Sequence, residues 1–317
     1  MIKINAVALN LHDHNAYDGV FHNQRERHTR FKHNLPYHAE AYNHQSDILN
    51  PGDYRLNDEF TEKYFKKPDN GILAFTYTFG GIRKSKEELL KTVLKGHDEI
   101  FDYNPKTLWD NYYKDNIYFI DHHQSHAAYA FLNSGFLESD ILAIDGIGSK
   151  FRCVFFDKDY NLINLSDKLP IGWLWNHMSN LTGFGTLGAS KLMGKVGYGK
   201  YSDYYYNTFE IIFDGPITER KQEHFKEIDI DKHGIDDLAF TLQKFTIDKI
   251  KEYVLPLKTT NKLCIAGGVA YNGYMNEMFT EYYDDVFVPP AIGDEGQAIG
   301  VYQHADYMLN KNIHKSN

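Results

Sequence analysis

Residues 117–149 read IYFIDHHQSHAAYAFLNSGFLESDILAIDGIGS and contain the clearest structural pattern of the chain. A short apolar run at 117–120 leads into an alanine-rich stretch that favours a helix over 122–133. Gly135 follows this stretch and is a typical helix stop. A second apolar run at 140–144 then leads into a glycine-rich turn. This stretch therefore predicts a strand, a helix and a second strand in succession.

The rest of the chain continues this alternation. Further predicted strands cover 2–9, 71–78, 151–156, 263–265 and 286–288, and further predicted helices cover 84–94 and 235–253. Strands that alternate with helices predict an α/β fold. We expect two lobes that meet at a cleft, an amino-terminal lobe over 1–165 and a carboxy-terminal lobe over 166–317. Open α/β sheets bind ligands at such clefts.

The composition limits the classes of protein to which the chain can belong. Its 34 basic and 43 acidic residues give a formal charge of -9, which argues against general binding to nucleic acids. Cys153 and Cys264 are the only cysteines, and their separation predicts neither a disulfide framework nor a zinc site. The sequence has no signal-peptide pattern and no run of roughly 20 apolar residues that could span a membrane. We expect a cytoplasmic protein with a small-molecule partner.

His122 and His126 form the first candidate site. They are four residues apart on a predicted helix, so both imidazoles project from one face and can bind one metal ion. A lone pair of this kind is also common on surfaces and in cores. Asp145 and Asp294 strengthen the metal interpretation because both follow predicted strands at the cleft, although an aspartate before glycine also forms ordinary turns. Two imidazoles and two carboxylates suit Fe(II), Mn(II) or Zn(II) better than Mg(II) or Ca(II).

Glycine-rich turns form the second candidate site. Four of them lie beside predicted strand or helix ends, at 145–149, 183–188, 266–273 and 293–296. The main-chain amides of such turns, including those of Gly146, Gly148 and Ser149, can hold phosphates or a ribose. Each turn taken alone can be a simple chain reversal. Lys191 is a candidate to neutralise a phosphate, or alternatively a solvated lysine.

Six motifs in a fixed order give a more specific indication. They are IDHHQSHAAYAFLNSGF, LAIDGIGS, IGWLWNHMSNLTGFG, SKLMGKVGYG, CIAGGVAYNG and VPPAIGDEGQAIG. The same order occurs in the O-carbamoyltransferases that act on antibiotics and nodulation factors. The opening ALNLHDHNA also resembles the first phosphate loop of that family, and RERHTRFKH resembles the segment that follows. The resemblance runs from near residue 5 to about residue 305, with divergent stretches at 35–115 and 200–260.

This resemblance implies an actin-like, sugar-kinase-like fold of two ribonuclease-H-like lobes. The fold is related to that of the protein that makes threonylcarbamoyl-adenosine in tRNA. The resemblance also implies a metal ion, Fe(II) in the first instance, beside a carbamoyl-adenylate. The implied metal ligands are His122, His126, Asp145 and Asp294. ATP or carbamoyl-adenylate is implied at Gly267, Gly268 and Asn272.

The chain departs from the family pattern at two points. An acidic segment of the family reads Gly188-Ala189-Ser190-Lys191 here, which removes a glutamate that could hold a ribose. Family members usually continue into a carboxy-terminal domain that makes carbamoyl-adenylate from carbamoyl phosphate and ATP, and we expect that domain to be absent from this chain. We therefore favour the hypothesis that a separate partner protein supplies carbamoyl-adenylate to this chain. The two alternatives are that the chain uses carbamoyl phosphate directly and that it catalyses a changed reaction.

The expected reaction is metal-assisted transfer of a carbamoyl group from carbamoyl-adenylate to an acceptor hydroxyl. His12 or Asp13 is expected to accept the proton of that hydroxyl, and each also suits a cap or turn role. The acceptor is a small molecule, and a sugar, an aminoglycoside and a nucleotide fit the sequence equally. Two alternatives stay open. One is an ATP-dependent phosphotransferase or ATPase of the same fold, and the other is a non-catalytic nucleotide-binding subunit.

Overall fold

The structure is a computed structural model of the chain. It describes residues 1–10, 14–24, 64, 66–77, 94, 97, 99–100, 111–146, 148, 152–166, 169–185, 188–213, 225 and 228–311. The candidate residues His12, Asp13 and Ser149 lie outside the described residues, as does nearly all of the helix predicted over 84–94.

The first sheet is built from the amino-terminal third of the chain. Its strands are β1 (Lys3–Leu9), β2 (His14–Tyr17), β3 (His22–Gln24), β4 (Gly71–Tyr77), β5 (Tyr112–Lys114) and β6 (Ile117–Phe119), in the spatial order β3-β2-β1-β4-β6-β5. The central strands β1, β4 and β6 are parallel, with Lys3 opposite Gly71 and Leu9 opposite Tyr77. Every residue of β4 is buried, as its continuous apolar sequence predicts for a parallel strand covered on both faces.

The second sheet combines strands from the middle and from the last part of the chain. Its strands are β7 (Asp140–Ile144), β8 (Cys153–Phe156), β9 (Leu162–Ser166), β10 (Lys262–Ala266) and β11 (Asp285–Phe287), in the spatial order β11-β10-β7-β8-β9. Strands β7, β10 and β11 are parallel, whereas β8 and β9 continue from β7 as antiparallel neighbours. The carboxyl ends of β7 and β10 therefore point to the same edge of this sheet.

The described residues form eight α-helices. These are α1 (His122–Ser134), α2 (Ile171–Leu181), α3 (Ala189–Met193), α4 (Asp203–Phe213), α5 (Ile230–His233), α6 (Ile235–Val254), α7 (Gly273–Phe279) and α8 (Gln297–Asn310). Short 3-10 turns cover Val196–Tyr198, Leu255–Leu257, Gly268–Tyr271 and Asp294–Gly296. No helix in the described parts of the chain is long and apolar enough to cross a membrane.

Helices α1 and α8 form a layer between the two sheets. One core cluster joins Ile72 of β4, Ala128 of α1, Val301 of α8 and Cys264 of β10. Almost every residue of α1 is buried, which is typical of a helix with packed neighbours on all sides. The other face of the second sheet packs against α2, α6 and α7 in a separate core cluster. The second sheet is thus the middle layer between two helical layers.

Among the described residues, seven of the eleven strands and two of the eight helices lie within two residues of their predicted bounds. The helix predicted over 122–133 is α1, and it ends as predicted at Gly135, which has a left-handed φ of 73°. The strand predicted over 140–144 is β7, and the helix predicted over 235–253 is α6. The division of the chain after residue 165 stays a prediction. The second sheet contains strands from both sides of that point.

Candidate metal centre

The first two turns of α1 bring the side chains of His122 and His126 close together. Asp121 caps this helix, since its Oδ1 accepts hydrogen bonds from the main-chain N of His123 at 2.9 Å and of Gln124 at 3.4 Å. The helix therefore starts at His122, and His126 follows one turn later on the same face. Their ring centroids are 4.9 Å apart, and both side chains are fully buried. Both imidazoles therefore lie on one face of α1, as their spacing predicts.

Two carboxylates reach the same point, one from the end of β7 and one from the turn before α8. Asp145 directly follows β7, and Asp294 begins the 3-10 turn ahead of α8. His122 Nε2 lies 3.0 Å from Asp145 Oδ2 and 3.4 Å from Asp294 Oδ1. His126 Nε2 lies 3.5 Å and 3.3 Å from the same two oxygens. One donor atom from each of the four residues falls within 4.8 Å of every other.

The chemistry of these four donors fits a divalent transition metal ion. His126 Nε2 and Asp294 Oδ1 are buried and, among the described residues, have no hydrogen-bond partner of standard geometry, although they are 3.3 Å apart. Buried polar atoms of this kind are rare because they cost free energy. Two donors that bind one ion at roughly 2.1 Å lie about 3.0–3.5 Å apart. The nitrogen–oxygen separations of the cluster fall in that range.

The charges in the cluster depend strongly on one another. Burial alone would raise the pKa of Asp145, but His122 and His126 beside it hold that pKa well below its usual range. Burial alone would lower the pKa of His126, but Asp145 and Asp294 raise it to about 9. Without a metal ion, a proton on His126 therefore balances part of the carboxylate charge. A metal ion would take over that role in exchange for the proton.

His123, the middle histidine of the motif, does not join the cluster. Its ring meets that of His122 edge-on at a centroid distance of 5.4 Å. Burial keeps the pKa of His123 well below its usual range, so the ring stays neutral. The helical spacing predicts that His123 points away from His122 and His126, and His123 is not one of the four residues whose donor atoms converge.

Two of the glycine-rich turns lie against the cluster, where the structure leaves no room for a larger side chain. The sequence did not predict this steric requirement. A Cβ on Gly148 would lie 2.4 Å from Cδ2 of His122 and 2.6 Å from Cε1 of His123. A Cβ on Gly268 would lie 2.9 Å from Oδ1 of Asp145. Gly267 has a φ of +97°, and a Cβ there would lie 2.2 Å from the carbonyl oxygen of Ile144. Gly148 and Gly268 thus let two turns pack directly against the candidate metal ligands, and Gly267 lets the second of these turns pass close to the end of β7.

The other predicted nucleotide contacts have mixed surroundings. Gly146 packs against the start of α2, where a Cβ on Gly172 would lie 2.6 Å from the Cα of Gly146. Asn272 uses its Oδ1 to cap α7 at the N of Met275, at 3.1 Å, and its Nδ2 to donate to Gln243 at 2.8 Å. The contact to Gln243 uses one of the two Nδ2 hydrogens of Asn272.

Lys191 lies on a different element from these groups. It is exposed on α3, a short helix that packs against α2 and α6. Within the part of the chain that the structure describes, no contact links Lys191 to the four-residue cluster. The structure thus brings His122, His126, Asp145, Asp294, Gly148 and Gly268 together, and it does not bring Lys191 to them.

Two carboxamides that the sequence analysis missed lie directly behind the cluster. Asn15 Nδ2 donates to the carbonyl oxygen of Asp294 at 2.7 Å, and Gln297 Nε2 donates to that of His122 at 3.1 Å. Both side chains are fully buried. Contacts to main-chain atoms leave no residue-type pattern, so the sequence around Asn15 and Gln297 gives no signal of these contacts.

Two solved structures share this fold over nearly the whole chain. The activator of 2-hydroxyisocaproyl-CoA dehydratase from Clostridium difficile, solved with bound ADPNP, has a TM-score of 0.52 at 11% identity and covers 98% of this chain and 97% of its own. Component A of (R)-2-hydroxyglutaryl-CoA dehydratase from Acidaminococcus fermentans has a TM-score of 0.53 at 11% identity, with 96% and 99% covered. The predicted actin-like, sugar-kinase-like α/β fold is confirmed.

Comparison of sequences gives a more specific similarity. The family model for the carbamoyltransferase N-terminus matches residues 18–302. The nodulation protein NolO of Bradyrhizobium diazoefficiens is 27% identical over 204 residues, which are 57% of this chain and 37% of NolO. An uncharacterized protein of Synechocystis is 27% identical over 328 residues, or 87% of this chain and 52% of the relative. The nodulation protein NolNO of Sinorhizobium fredii is 29% identical over 207 residues, or 58% and 30%.

Proposed function

The chain belongs to the carbamoyltransferase N-terminus family, and from this membership we propose that it transfers a carbamoyl group from carbamoyl-adenylate to the hydroxyl of a small acceptor. The observation that carries the proposal is the buried cluster of His122, His126, Asp145 and Asp294. Four ionisable side chains without a cation would be a costly arrangement in a protein core. A bound metal ion would offset this cost by balancing the carboxylate charge.

The four residues of the cluster would hold this ion, and Fe(II), Mn(II) and Zn(II) suit their two imidazoles and two carboxylates. When bound, the ion supplies Lewis acidity that stabilises negative charge on a carbamoyl or phosphate oxygen. The chain itself would position the ion and shield it from water. Gly148 and Gly268 let their turns close tightly over the ligands, and His123 fills the adjoining space as a neutral ring.

The nucleotide is proposed to lie along the turns that carry Gly146, Gly148, Ser149, Gly267, Gly268 and Asn272. Main-chain amides in such turns donate to phosphate oxygens. Gly268 starts a 3-10 turn beside Asp145, so a phosphate bound there would lie next to the metal ligands. The remaining donor of Asn272 suits a ribose or base. Lys191 is proposed only as an outer phosphate contact, since its side chain is exposed.

The proposed transfer makes one bond and breaks one. The acceptor oxygen attacks the carbamoyl carbon, and the bond between that carbon and the phosphate oxygen of the adenylate breaks. AMP leaves with the electron pair. We propose that His12 or Asp13, between β1 and β2, takes the hydroxyl proton. The acceptor class stays a proposal as well, with a sugar, an aminoglycoside or a nucleotide as candidates.

The source of carbamoyl-adenylate is a separate part of the proposal. The chain spans about a third to a half of the length of the curated relatives it matches. We propose that a partner protein supplies the intermediate to this chain. The purified chain is then expected to be inactive with carbamoyl phosphate and ATP and active with added carbamoyl-adenylate. Activity with carbamoyl phosphate and ATP alone would contradict supply by a partner while leaving carbamoyl transfer intact.

A transfer assay tests the main proposal. The purified chain is loaded with Fe(II) and incubated with synthetic carbamoyl-adenylate and, in turn, a hexose, an aminoglycoside and a nucleoside. AMP release and the acceptor mass are then measured. We expect AMP and carbamoylated product in equal amounts with one of these acceptor classes. Asp294→Asn should abolish both products. Asp306→Asn should abolish neither, because Asp306 is a buried acid of α8 that contacts Asn310 rather than the cluster.

Other outcomes would contradict the proposal. Phosphate transfer from ATP that needs only exchangeable Mg(II), together with no tightly held transition metal by elemental analysis, would favour the phosphotransferase or ATPase alternative. Tight nucleotide binding without turnover of carbamoyl-adenylate on any acceptor would favour the non-catalytic subunit.

A further inference from the structure

Asn15 holds the turn that carries Asp294. Its side chain is fully buried on β2. Its Nδ2 donates to the carbonyl oxygen of Asp294 at 2.7 Å, and its Oδ1 accepts from the N of Ala298 at 2.9 Å. The turn Asp294–Gly296 lies between these two contacts. Asn15 thus fixes the main chain on both sides of the turn.

Gln297 makes a corresponding contact to the other half of the cluster. It is the first residue of α8, and its side chain is fully buried. Its Nε2 donates to the carbonyl oxygen of His122 at 3.1 Å, and its Oε1 accepts from Nδ2 of Asn10 at 2.7 Å. Gln297 therefore ties the start of α8 to the start of α1. A hydrogen bond to a buried group is costly to remove because the partner is left unsatisfied.

We propose that Asn15 and Gln297 are positioning residues for the metal centre. Each acts on the main chain of a residue whose side chain belongs to the cluster, Asp294 for Asn15 and His122 for Gln297. Together they fix the separation between His122 Nε2 and Asp294 Oδ1, which is 3.4 Å. The two ligands come from different elements, α1 and the turn before α8, so no local geometry sets this separation. The inference rests on the proposed metal centre.

The alternative is that these carboxamides only stabilise the packing of α8. Helix α8 starts after Gly296 and has no side-chain cap of its own, so Asn15 also satisfies a first-turn amide that would otherwise be open. A purely structural role predicts lost stability and unchanged metal binding. A positioning role predicts lost metal affinity as well, because residues that orient metal ligands typically contribute about 10–100-fold to affinity.

The same pair of helices provides a matched control. Asn133 of α1 and Gln303 of α8 form reciprocal hydrogen bonds, from Asn133 Nδ2 to Gln303 Oε1 at 2.7 Å and from Gln303 Nε2 to Asn133 Oδ1 at 3.0 Å. This contact joins α1 to α8 as Gln297 does, and Gln303 is also buried. It touches no residue of the cluster. Gln303→Met therefore removes a carboxamide contact between the helices without the link to a metal ligand.

The experiment compares Gln297→Met, Asn15→Ala and Gln303→Met with the unmodified chain. Metal-free protein is titrated with Co(II), whose visible absorption reports ligand geometry, and with Zn(II) in competition with a chromophoric chelator. Urea unfolding of each metal-free protein gives its stability. We expect Zn(II) affinity to fall about 10–100-fold in Gln297→Met and Asn15→Ala, with an altered Co(II) spectrum. Gln303→Met should keep both metal properties and lose only stability. If Asn15→Ala does not fold, Gln297→Met carries the test.

The outcomes separate this inference from the proposed function. Gln297→Met with the spectrum and affinity of the unmodified chain, at a stability loss like that of Gln303→Met, would overturn the positioning role and leave the metal centre standing. No binding of Co(II) or Zn(II) by the unmodified chain would overturn the metal centre and the positioning role together.

Discussion

Strand β7 has a buried aspartate at each end, and the two carboxylates have opposite kinds of surroundings. Asp140, at the start of the strand, accepts hydrogen bonds from neutral groups with fixed positions. The donors are the N of Thr259 at 2.9 Å, its Oγ1 at 2.5 Å, the N of Thr260 at 3.4 Å and the hydroxyl of Tyr283 at 3.3 Å. Both carboxylate oxygens of Asp140 therefore accept from neutral donors within the fold.

Asp145, just beyond the other end of the strand, instead faces ionisable groups. His122, His126 and Asp294 converge on it, and part of this cluster lies outside hydrogen-bond geometry. Burial raises the pKa of Asp140, whereas the two histidines hold the pKa of Asp145 well below its usual range. A buried carboxylate surrounded by neutral donors supports structure. A buried carboxylate that stays charged among convergent ligand atoms is suited to bind a cation.

Asp145→Asn should give the largest effect because it removes a charged ligand of the proposed metal centre. We expect metal affinity to fall more than about a hundredfold, since loss of an outer partner alone typically costs 10–100-fold. Competition with a chromophoric chelator measures this change. If Asp145→Asn kept the original Zn(II) affinity, the proposed difference in metal binding between Asp145 and Asp140 would be wrong.

Asp140→Asn makes the same chemical change at the other end, and its effect should appear in stability alone. An amide places an NH2 group against donors that the carboxylate satisfied, which should cost about 2 kcal/mol of unfolding free energy. Urea unfolding of the metal-free protein measures the loss. Zn(II) affinity should stay within about twofold of the original, and a large drop would mean that Asp140 also acts on the metal centre.

The pH dependence of the metal-free protein should report the charged end of the strand. The pKa of His126 is raised from 6.5 to about 9, so its contribution to stability is complete below about pH 6.5 and is lost as pH rises through about 9. We expect the unfolding free energy, measured in the presence of a chelator, to decline over that window. His126→Gln should remove this decline. With excess Zn(II), the stabilisation by the bound metal should instead increase as the pH rises, because binding requires neutral imidazole.

Tyr283→Phe should give the smallest effect of the series. It removes one long hydrogen bond to Asp140 and leaves the three donors from the 259–260 segment in place. We expect a loss of about 0.5–1 kcal/mol in unfolding free energy and no change in Zn(II) affinity. A loss as large as that of Asp140→Asn would show that the hydroxyl dominates the surroundings of Asp140.

The elements around the site follow from local sequence, and for that reason the sequence predicted them well. Helix α1 is defined by its cap Asp121 and its stop Gly135, and β7 by a short continuous apolar run. The histidine spacing is also local, since one helical turn places both imidazoles on one face. Asp294 is different. Its place in a strand-end turn at the predicted cleft and the resemblance of ordered motifs link it to His122, because no spacing rule connects positions so far apart.

The remaining features depend on contacts between distant segments. Gly148 was interpreted as a phosphate-binding glycine, and the structure adds that no larger residue fits against the rings of His122 and His123. Asn15 and Gln297 act on main-chain carbonyls, which carry no residue identity. Lys191 follows a family motif and yet lies exposed on α3. Spacing rules relate residues within one helix or strand, whereas these features depend on contacts between two elements.

The position of α1 between the two sheets has a consequence for biosynthesis. The helix that carries both histidines buries its residues against β4, which the ribosome makes earlier, and against β10 and α8, which it makes much later. Asp294 also belongs to that late segment. The four candidate ligands can therefore come together only after the segment up to α8 has been translated. A metal ion held by all four of them would have to enter after that point.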